Sequence, residues 1–331
     1  MKTISVGVLA AVLALGGGAH GVTVVDQAGR TVEVLDAPTR VASAFGVATA
    51  YVYALGASDL LVGARYLGIP DSPLARGVMQ RIAPGWEGKG FPGDVSAETI
   101  VALEPDLVLA GLRHRALAEL LDDVGIPSVI YASETFAAVR EATQLTGEIL
   151  GRQDDACRLV AFLDEVLAEA RRAVPAEPPL PRVLFVGTEP LRVAGVGMYQ
   201  AQLIALAGGK LAAGDLGGAS WQDVSPEQIL LWDPDVIVIA SYGAVTPASY
   251  LDDPVFQGVG AVKAGRVYKM PQLLFAWDTP IPESVLGVLW LADLLHPGSA
   301  LGQLRTFVLH FYQEFYGVGL TEEEVRSIIG P

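Results

Sequence analysis

The sequence has few of the residues that build metal sites and active sites. It contains one cysteine, Cys157, and four histidines among 331 residues. One cysteine cannot form an intrachain disulfide, and no Cys/His spacing typical of zinc is present. We predict that Cys157 is a small buried apolar side chain. A P-loop, a dinucleotide fingerprint and a serine-nucleophile elbow are absent too. An enzyme is therefore not expected, and we predict no catalytic residue, no cofactor and no metal site.

Positive charge is also scarce. Lys and Arg number 22 against 37 Asp and Glu, which gives a formal net charge of −15. Such a chain has no general basic surface for nucleic acid, so nucleic acid is excluded as a partner. Any anion site must be built locally from a few Arg or Lys side chains. The length and the 51% hydrophobic content suit a well-packed protein of two lobes.

The hydrophobic run at the start of the chain is short. Lys2 is followed by the apolar segment 4–15 and then by Ala19-His20-Gly21, a small-x-small cleavage pattern. The run is too short to span a bilayer. We predict a cleaved signal peptide over residues 1–21 and, since no lipobox cysteine is present, a periplasmic or otherwise extracytoplasmic protein.

Beyond a hairpin predicted over residues 22–34, short apolar strands alternate with helices. This alternation is typical of parallel sheets covered on both faces. Four prolines within residues 175–181 end a long predicted helix that begins near 153. The predicted strands cover residues 40–45, 60–64, 106–110, 127–131, 182–187, 235–240 and 266–271.

An internal repeat links the two halves. Residues 95–110 align with residues 224–239 at a constant offset of 129 (224 − 95). Each copy has a serine-capped helix, a Pro-Asp turn and a hydrophobic strand. Two copies predict two similar α/β lobes, and small ligands favour the cleft between such lobes.

These features together resemble the class III periplasmic binding proteins of ABC importers. The resemblance rests on five segments: the Asp26…Gly29-Arg30-x-Val32 hairpin, Pro38-x-Arg40-Val41, both Pro-Asp repeats, the helix after Gly151, and a predicted hairpin over 261–268. It implies an α/β fold of two similar lobes, with mainly parallel sheets, joined by one long α-helix. We expect an N-terminal lobe over 22–152, a linking helix and proline-rich boundary over 153–180, and a C-terminal lobe over 181–331.

The resemblance also implies a function and partners. The protein would capture an iron complex (siderophore or haem) or cobalamin and deliver it, as a monomer, to a permease dimer in the membrane. An oxyanion such as molybdate or tungstate is the alternative ligand, and a nitrogenase-like metalloenzyme a weaker one because cluster cysteines are missing. In this family one glutamate per lobe docks on the permease, which here implies Glu98 and Glu227. The alternative is that both merely suit a helix N-terminus.

Ligand residues are expected just after the strands, where open parallel sheets bind ligands. Aromatic side chains at these positions suit a flat organic ligand, and Arg65 and Arg113 suit anionic groups. Alternatively, the aromatics are core residues and the arginines form salt bridges. A wider set of strand-end positions includes Phe45, His114 and Asp278. The predicted ligand-binding residues are Tyr51, Arg65, Tyr66, Arg113, Tyr199, Trp221, Tyr242 and Trp277.

Overall fold

The computed structural model describes residues 21–91, 93, 95–175, 179–297 and 301–330. Apart from Gly21, the predicted signal peptide lies outside the described residues. None of the helices in these ranges combines the length and apolarity needed to cross a bilayer.

The first lobe is a parallel sheet flanked by helices and preceded by an antiparallel hairpin. Its four strands are ordered β4-β3-β5-β6, all parallel. The elements are β1 (Gly21–Val25), β2 (Thr31–Leu35), β3 (Val41–Ser43), α1 (Gly46–Ala54), β4 (Leu61–Ala64), α2 (Pro73–Ile82), α3 (Ala97–Val101), β5 (Leu107–Gly111), α4 (Arg115–Asp123), β6 (Ser128–Tyr131) and α5 (Phe136–Ile149).

One long helix, α6 (Gln153–Ala173), connects the lobes. Leu159, Phe162, Leu163 and Val166 are buried on one side of it. Their helical spacing explains why this segment forms an amphipathic helix.

The second lobe has a mixed but mainly parallel sheet. Its strand order is β10-β8-β7-β11-β12, with β9 beside β7. The strand β8 runs antiparallel to β7 and β10, and the pairs of β7 with β9, β7 with β11 and β11 with β12 are parallel. The elements are β7 (Arg182–Val186), β8 (Arg192–Val193), α7 (Tyr199–Leu206), β9 (Lys210–Leu211), β10 (Gln222–Asp223), α8 (Pro226–Trp232), β11 (Val236–Ile239), α9 (Ala248–Leu251), α10 (Gly260–Lys263), β12 (Val267–Lys269), α11 (Ser284–Leu295), α12 (Leu301–Phe315) and α13 (Glu322–Ile329).

The sequence repeat is also a structural repeat. Ser96 caps α3 by accepting a hydrogen bond from the Thr99 N–H at 3.2 Å, and Ser225 caps α8 in the same way at 3.3 Å. After each helix a non-glycine residue adopts the left-handed conformation, Glu104 at φ 47° and Asp233 at φ 42°. These two positions correspond at the offset of the repeat, so the backbone preserves even this unfavourable turn.

An arginine at the start of a neighbouring strand closes each copy of the repeat: Arg40 directly precedes β3, and Arg182 is the first residue of β7. Arg40 donates to the Leu103 carbonyl, and Arg182 donates to the Trp232 carbonyl. Leu103 and Trp232 are equivalent positions at the ends of their helices, where carbonyls lack partners within the helix. The predicted fold of two similar, mainly parallel α/β lobes joined by a long helix is confirmed.

Two expectations are wrong. Residues 261–268 form no hairpin, because α10 is followed by a turn at Gly265 (φ 66°) and then by β12, which runs parallel to β11. Cys157 is exposed on α6 and not buried. It precedes Leu159 by two residues, about 200° around a helix, and so faces away from the apolar side.

Candidate ligand-binding cleft

A cavity of about 330 Å³ joins the two lobes at the ends of their strands. The Gln272 side-chain amide donates a hydrogen bond across it to the Gly68 carbonyl at 2.8 Å. The first lobe contributes residues that follow β4, and the second contributes residues that follow β11 and β12. The cavity therefore lies at the carboxyl edges of both sheets, as expected for open parallel sheets. Its lining residues are Leu67, Gly68, Tyr242, Gln272, Ala276 and Thr279.

On the first lobe, an aromatic ring rests on a strand-end glycine. Phe45 follows β3, and its ring lies over Gly111 at the end of β5, where a Cβ atom would come within 2.9 Å of Phe45 Cδ1. The Arg113 guanidinium carbon is 5.4 Å from the Phe45 ring centroid. The His114 ring packs edge-on to Phe45 at 5.9 Å, and its Nδ1 accepts the Gly111 N–H at 3.1 Å. Glycine is needed here because the ring occupies the space of a side chain.

The two predicted arginines form a positive edge beside this ring. Arg65 donates to the Gly93 carbonyl at 3.0 Å, and Arg113 Nε lies 3.2 Å from His114 Nε2. Among the described residues, no carboxylate lies within 4.0 Å of either guanidinium. Burial lowers the pKa of His114, and the charges of Arg113 and Arg65 lower it further. The salt-bridge alternative for the arginines therefore finds no support within this part of the chain.

The second lobe repeats the ring-on-glycine arrangement. Trp221 lies over Gly187, which follows β7, and a Cβ on that glycine would come within 2.9 Å of Trp221 Cε3. Tyr242 follows β11 and is half-buried at the cavity wall. Burial and the nearby Asp278 carboxylate raise the pKa of Tyr242, so its hydroxyl stays protonated. Each lobe thus presents an aromatic surface at its strand ends.

Two other predicted ligand residues lie in the packed floor between the lobes. Tyr51 is fully buried and donates to the Pro280 carbonyl of the other lobe at 3.1 Å. Tyr199 is 2% exposed, shares a hydrogen bond of 2.6 Å with Ser284, and stacks on Phe136 with centroids 4.6 Å apart. The structure does not bring these two rings to the open cleft, and their contacts are those of core residues.

Trp277 and Tyr66 are likewise turned away from the cavity. Trp277 is fully buried and donates through Nε1 to Glu283 at 2.9 Å. Tyr66 donates to the Trp86 carbonyl at 2.8 Å and packs edge-on to its ring at 5.1 Å. The residue after it, Leu67, is the one that lines the cavity.

The strand-end rule missed Gln272, which crosses the cavity. This residue directly follows the predicted strand 266–271, but the rule was applied there to Trp277 and Asp278, which lie further along the chain. Gly68 contributes only its carbonyl, and no property of its side chain marks it in the sequence.

Glu98 and Glu227 are exposed in the first turns of α3 and α8. Hydrogen bonds lower the pKa of both carboxyls. For Glu98 the larger effect comes from its own backbone N–H and the smaller from Ser96. For Glu227 the larger effect comes from Ser225 and the smaller from its own backbone N–H. The segment before α3 lies at the carboxyl edge, where the Phe91 N–H donates to the Ala64 carbonyl at 3.2 Å. Both helices run back to the amino edge of their sheets. The two carboxylates therefore lie towards the cleft side.

Comparison with known proteins decides the family. The family model described as periplasmic binding protein matches residues 41–274. The chain belongs to the periplasmic binding protein family. It is 29% identical to the molybdate-binding protein MolA of Haemophilus influenzae, covering 71% of this chain and 75% of that one. It is 27% identical to the vitamin B12-binding protein of Photorhabdus laumondii, covering 62% and 71% of the two chains.

Solved structures agree with this assignment. A periplasmic solute-binding protein from Veillonella parvula superposes with a TM-score of 0.79 at 29% identity, over 94% of this chain and 97% of that one. The predicted membership of the periplasmic binding proteins is confirmed. These relatives are binding proteins and not enzymes.

Proposed function

We propose that this periplasmic binding protein captures an organic metal chelate with an anionic group, of the siderophore, haem or cobalamin type, for an ABC importer. The observation that supports this most is the Arg113 guanidinium over the Phe45 ring at one edge of the cleft, with Arg65 near enough to the adjacent His114 to lower its pKa. Guanidinium groups bind carboxylate and phosphate oxygens, and a flat ring binds the apolar body of a chelate. On a chain with a formal net charge of −15, a locally positive surface requires basic side chains that lie close together.

An oxyanion such as molybdate or tungstate is the second candidate. It is favoured by the similarity to MolA, which is named for molybdate. A bare oxyanion would use the guanidiniums of Arg65 and Arg113 but would leave Phe45, Trp221 and Tyr242 without a contact.

Intrinsic tryptophan fluorescence of the mature protein separates these candidates. The titrants are ferric hydroxamate and catecholate siderophores, haemin, cobalamin, molybdate and tungstate. We expect saturable quenching by one organic chelate and loss of most of that quenching in Trp221→Phe. Quenching by molybdate or tungstate alone would overturn the chelate proposal in favour of the oxyanion.

Arginine variants test the anionic contact. Arg65→Ala and Arg113→Ala should each weaken binding by about 1–3 kcal/mol, the range for a charge-assisted hydrogen bond. Arg171→Ala is the matched control, because this exposed arginine lies on α6, away from the cleft. If Arg65→Ala and Arg113→Ala, like Arg171→Ala, kept the affinity of the wild type, the positive edge would not contact the ligand.

We also propose that Glu98 and Glu227 dock the protein on the permease dimer. Two separated carboxylates on the cleft side of both lobes fix the orientation of the complex and speed encounter with a basic partner. The double variant Glu98→Ala, Glu227→Ala should keep its ligand affinity and lose uptake. The control is Glu141→Ala with Glu165→Ala, two exposed glutamates on α5 and α6. Normal uptake with the first double variant would refute the docking role.

The compartment and domain limits remain part of this proposal. We propose export with cleavage of residues 1–21, no lipid anchor, and a monomer with lobes over 22–152 and 181–331. N-terminal sequencing and mass measurement of the exported protein test the cleavage and the absence of lipid. Light scattering tests the monomer.

A further inference from the structure

One buried carboxylate beside the cleft, Asp278, has no hydrogen-bond partner among the described residues. Asp278 is 0% exposed, and neither of its carboxylate oxygens accepts a hydrogen bond within the described part of the chain. Burial raises its pKa to about 6, although the Tyr242 hydroxyl, its own backbone N–H, the Gln200 side chain and the Ser241 backbone N–H lie near enough to lower it in part. None of these groups meets hydrogen-bond geometry with either oxygen. A buried, unpaired acceptor of this kind normally costs stability.

Two further buried acceptors accompany this carboxylate. Gln200 donates through Nε2 to the Asp278 backbone carbonyl at 2.9 Å, which fixes its side chain beside that residue. Among the residues that the structure describes, neither its Oε1 nor the Ser241 hydroxyl has a hydrogen-bond partner. The cluster formed by Asp278, Gln200 and Ser241 therefore holds four oxygen atoms that accept no hydrogen bond within the described residues, although the Ser241 hydroxyl can itself donate.

A carboxylate five residues away shows that the same segment can satisfy a buried acid. Glu283 is also 0% exposed, yet it accepts hydrogen bonds from Trp277 Nε1 and from the hydroxyls of Tyr312 and Tyr316, at 2.9, 2.7 and 2.9 Å. Buried polar groups in proteins are nearly always paired in this way. The missing donors at Asp278 are thus a local feature of the cluster and not a general property of this loop.

The cluster lies directly behind the cavity wall. Ala276, Thr279 and Tyr242 line the cavity, and Asp278 stands between the first two in sequence and beside the third. Movement of the Tyr242 side chain would connect the cavity to the carboxylate. A ligand in the cavity could then supply the donors that the protein lacks.

We propose that Asp278, Gln200 and Ser241 form a subsite for a nitrogen donor group of the ligand, an ammonium or amide N–H. This inference rests on the proposed function and refines it. An N–H or N⁺–H group satisfies a carboxylate and an amide oxygen together, whereas an oxyanion would be repelled by the carboxylate. The cleft then recognises a ligand with an anionic group at the first lobe and a nitrogen donor at the second. Amide-bearing siderophores and the amide groups of cobalamin meet this requirement, while haem and molybdate do not.

Substitution of Asp278 separates a binding role from a structural one. Asp278→Asn keeps the shape and removes the charge, and it should raise Tm while weakening the best ligand of the fluorescence panel about tenfold or more. A purely structural carboxylate would lower Tm when replaced. Asp252→Asn, an exposed position of the same lobe, is the matched control. Unchanged affinity in Asp278→Asn, with binding intact in the wild type, would overturn the subsite and leave the proposed function standing.

A second measurement does not depend on identifying the ligand. Methylammonium chloride should raise the Tm of the wild-type protein in a concentration-dependent way, and Asp278→Leu should abolish the effect. Sodium chloride and calcium chloride at equal ionic strength are the comparison salts. An equal rise with sodium or calcium would show a site for bare cations, and no rise with methylammonium would show no nitrogen-donor site. Either result overturns the subsite without bearing on the chelate proposal.

Discussion

The buried carboxyl of Glu283 predicts how stability depends on pH. Burial raises its pKa from 4.5 to about 7. Its three donors are neutral, and none of the ion pairs within the described residues involves it. The substitution Glu283→Gln removes the charge and keeps an amide of almost the same shape. The amide oxygen can still accept from Trp277 and Tyr312, and the amide nitrogen can donate to Tyr316 once that hydroxyl rotates.

The sign and size of the effect follow from the two pKa values. Because the folded state holds the proton more tightly than the unfolded chain, Glu283 favours folding most at pH values below about 4.5. That contribution is lost as the pH rises towards about 7. At about 1.4 kcal/mol per pH unit, the loss between pH 5 and pH 8 is about 2 to 3 kcal/mol. Asp278, with a pKa raised from 3.8 to about 6, adds a loss of the same sign in both proteins.

Urea unfolding at pH 5, 6, 7 and 8 measures this difference. Glu283→Gln should lose about 2 to 3 kcal/mol less unfolding free energy than the wild type between pH 5 and 8. The control Glu165→Gln, at an exposed position of α6, should follow the wild type. Parallel pH curves for Glu283→Gln and the wild type would refute the argument that this carboxyl is buried without charge compensation.

Three further predictions concern packing and backbone. Gly187→Ala should displace the Trp221 ring, because the new Cβ would come within 2.9 Å of it, costing about 1–3 kcal/mol and changing the near-ultraviolet circular dichroism. Arg81→Ala should remove the 2.7 Å ion pair with Glu324 that ties α2 to α13 across the lobes, and we expect faster amide exchange in α13 and a loss of about 1 kcal/mol. Glu104→Gly should relieve the left-handed conformation at φ 47° and raise the unfolding free energy by up to about 1 kcal/mol, as measured by urea unfolding.

The fold could be predicted from the sequence because hydrophobic periodicity and turn residues indicate helices and strands directly. Apolar runs marked every strand of the first sheet and β7, β11 and β12 of the second, but not the two-residue strands β8, β9 and β10. The repeat at 95–110 and 224–239 predicted two lobes whose turns agree even at Glu104 and Asp233. Hydrophobic periodicity reports which face of an element is buried, and this property survives without knowledge of the partner elements. Five helices, α2, α4, α9, α10 and α13, were not predicted.

The ligand site was harder to predict because the strand-end rule identifies the edge of the sheet but not the direction in which each side chain points. Tyr51 and Tyr242 both belong to segments that follow strands, yet Tyr51 packs into the floor and Tyr242 lines the cavity. Which way a side chain points depends on how the second lobe packs against the first, as the bond from Tyr51 to Pro280 shows. No local pattern carries that information. The missing donors around Asp278 are likewise a property of three distant segments.

The hydrogen bond from Gln272 to the Gly68 carbonyl bears on how fast a ligand reaches the cavity. A neutral hydrogen bond of this kind, open to water, is worth about 1 kcal/mol net, so roughly one molecule in six has it broken at any instant. Exposed side chains change rotamer within picoseconds to nanoseconds. The hydrogen bond from the Gln272 amide to the Gly68 carbonyl therefore breaks far more often than ligand molecules arrive at micromolar concentration. Association past this point should be limited by diffusion, with a rate proportional to ligand concentration and no plateau from a slow opening step.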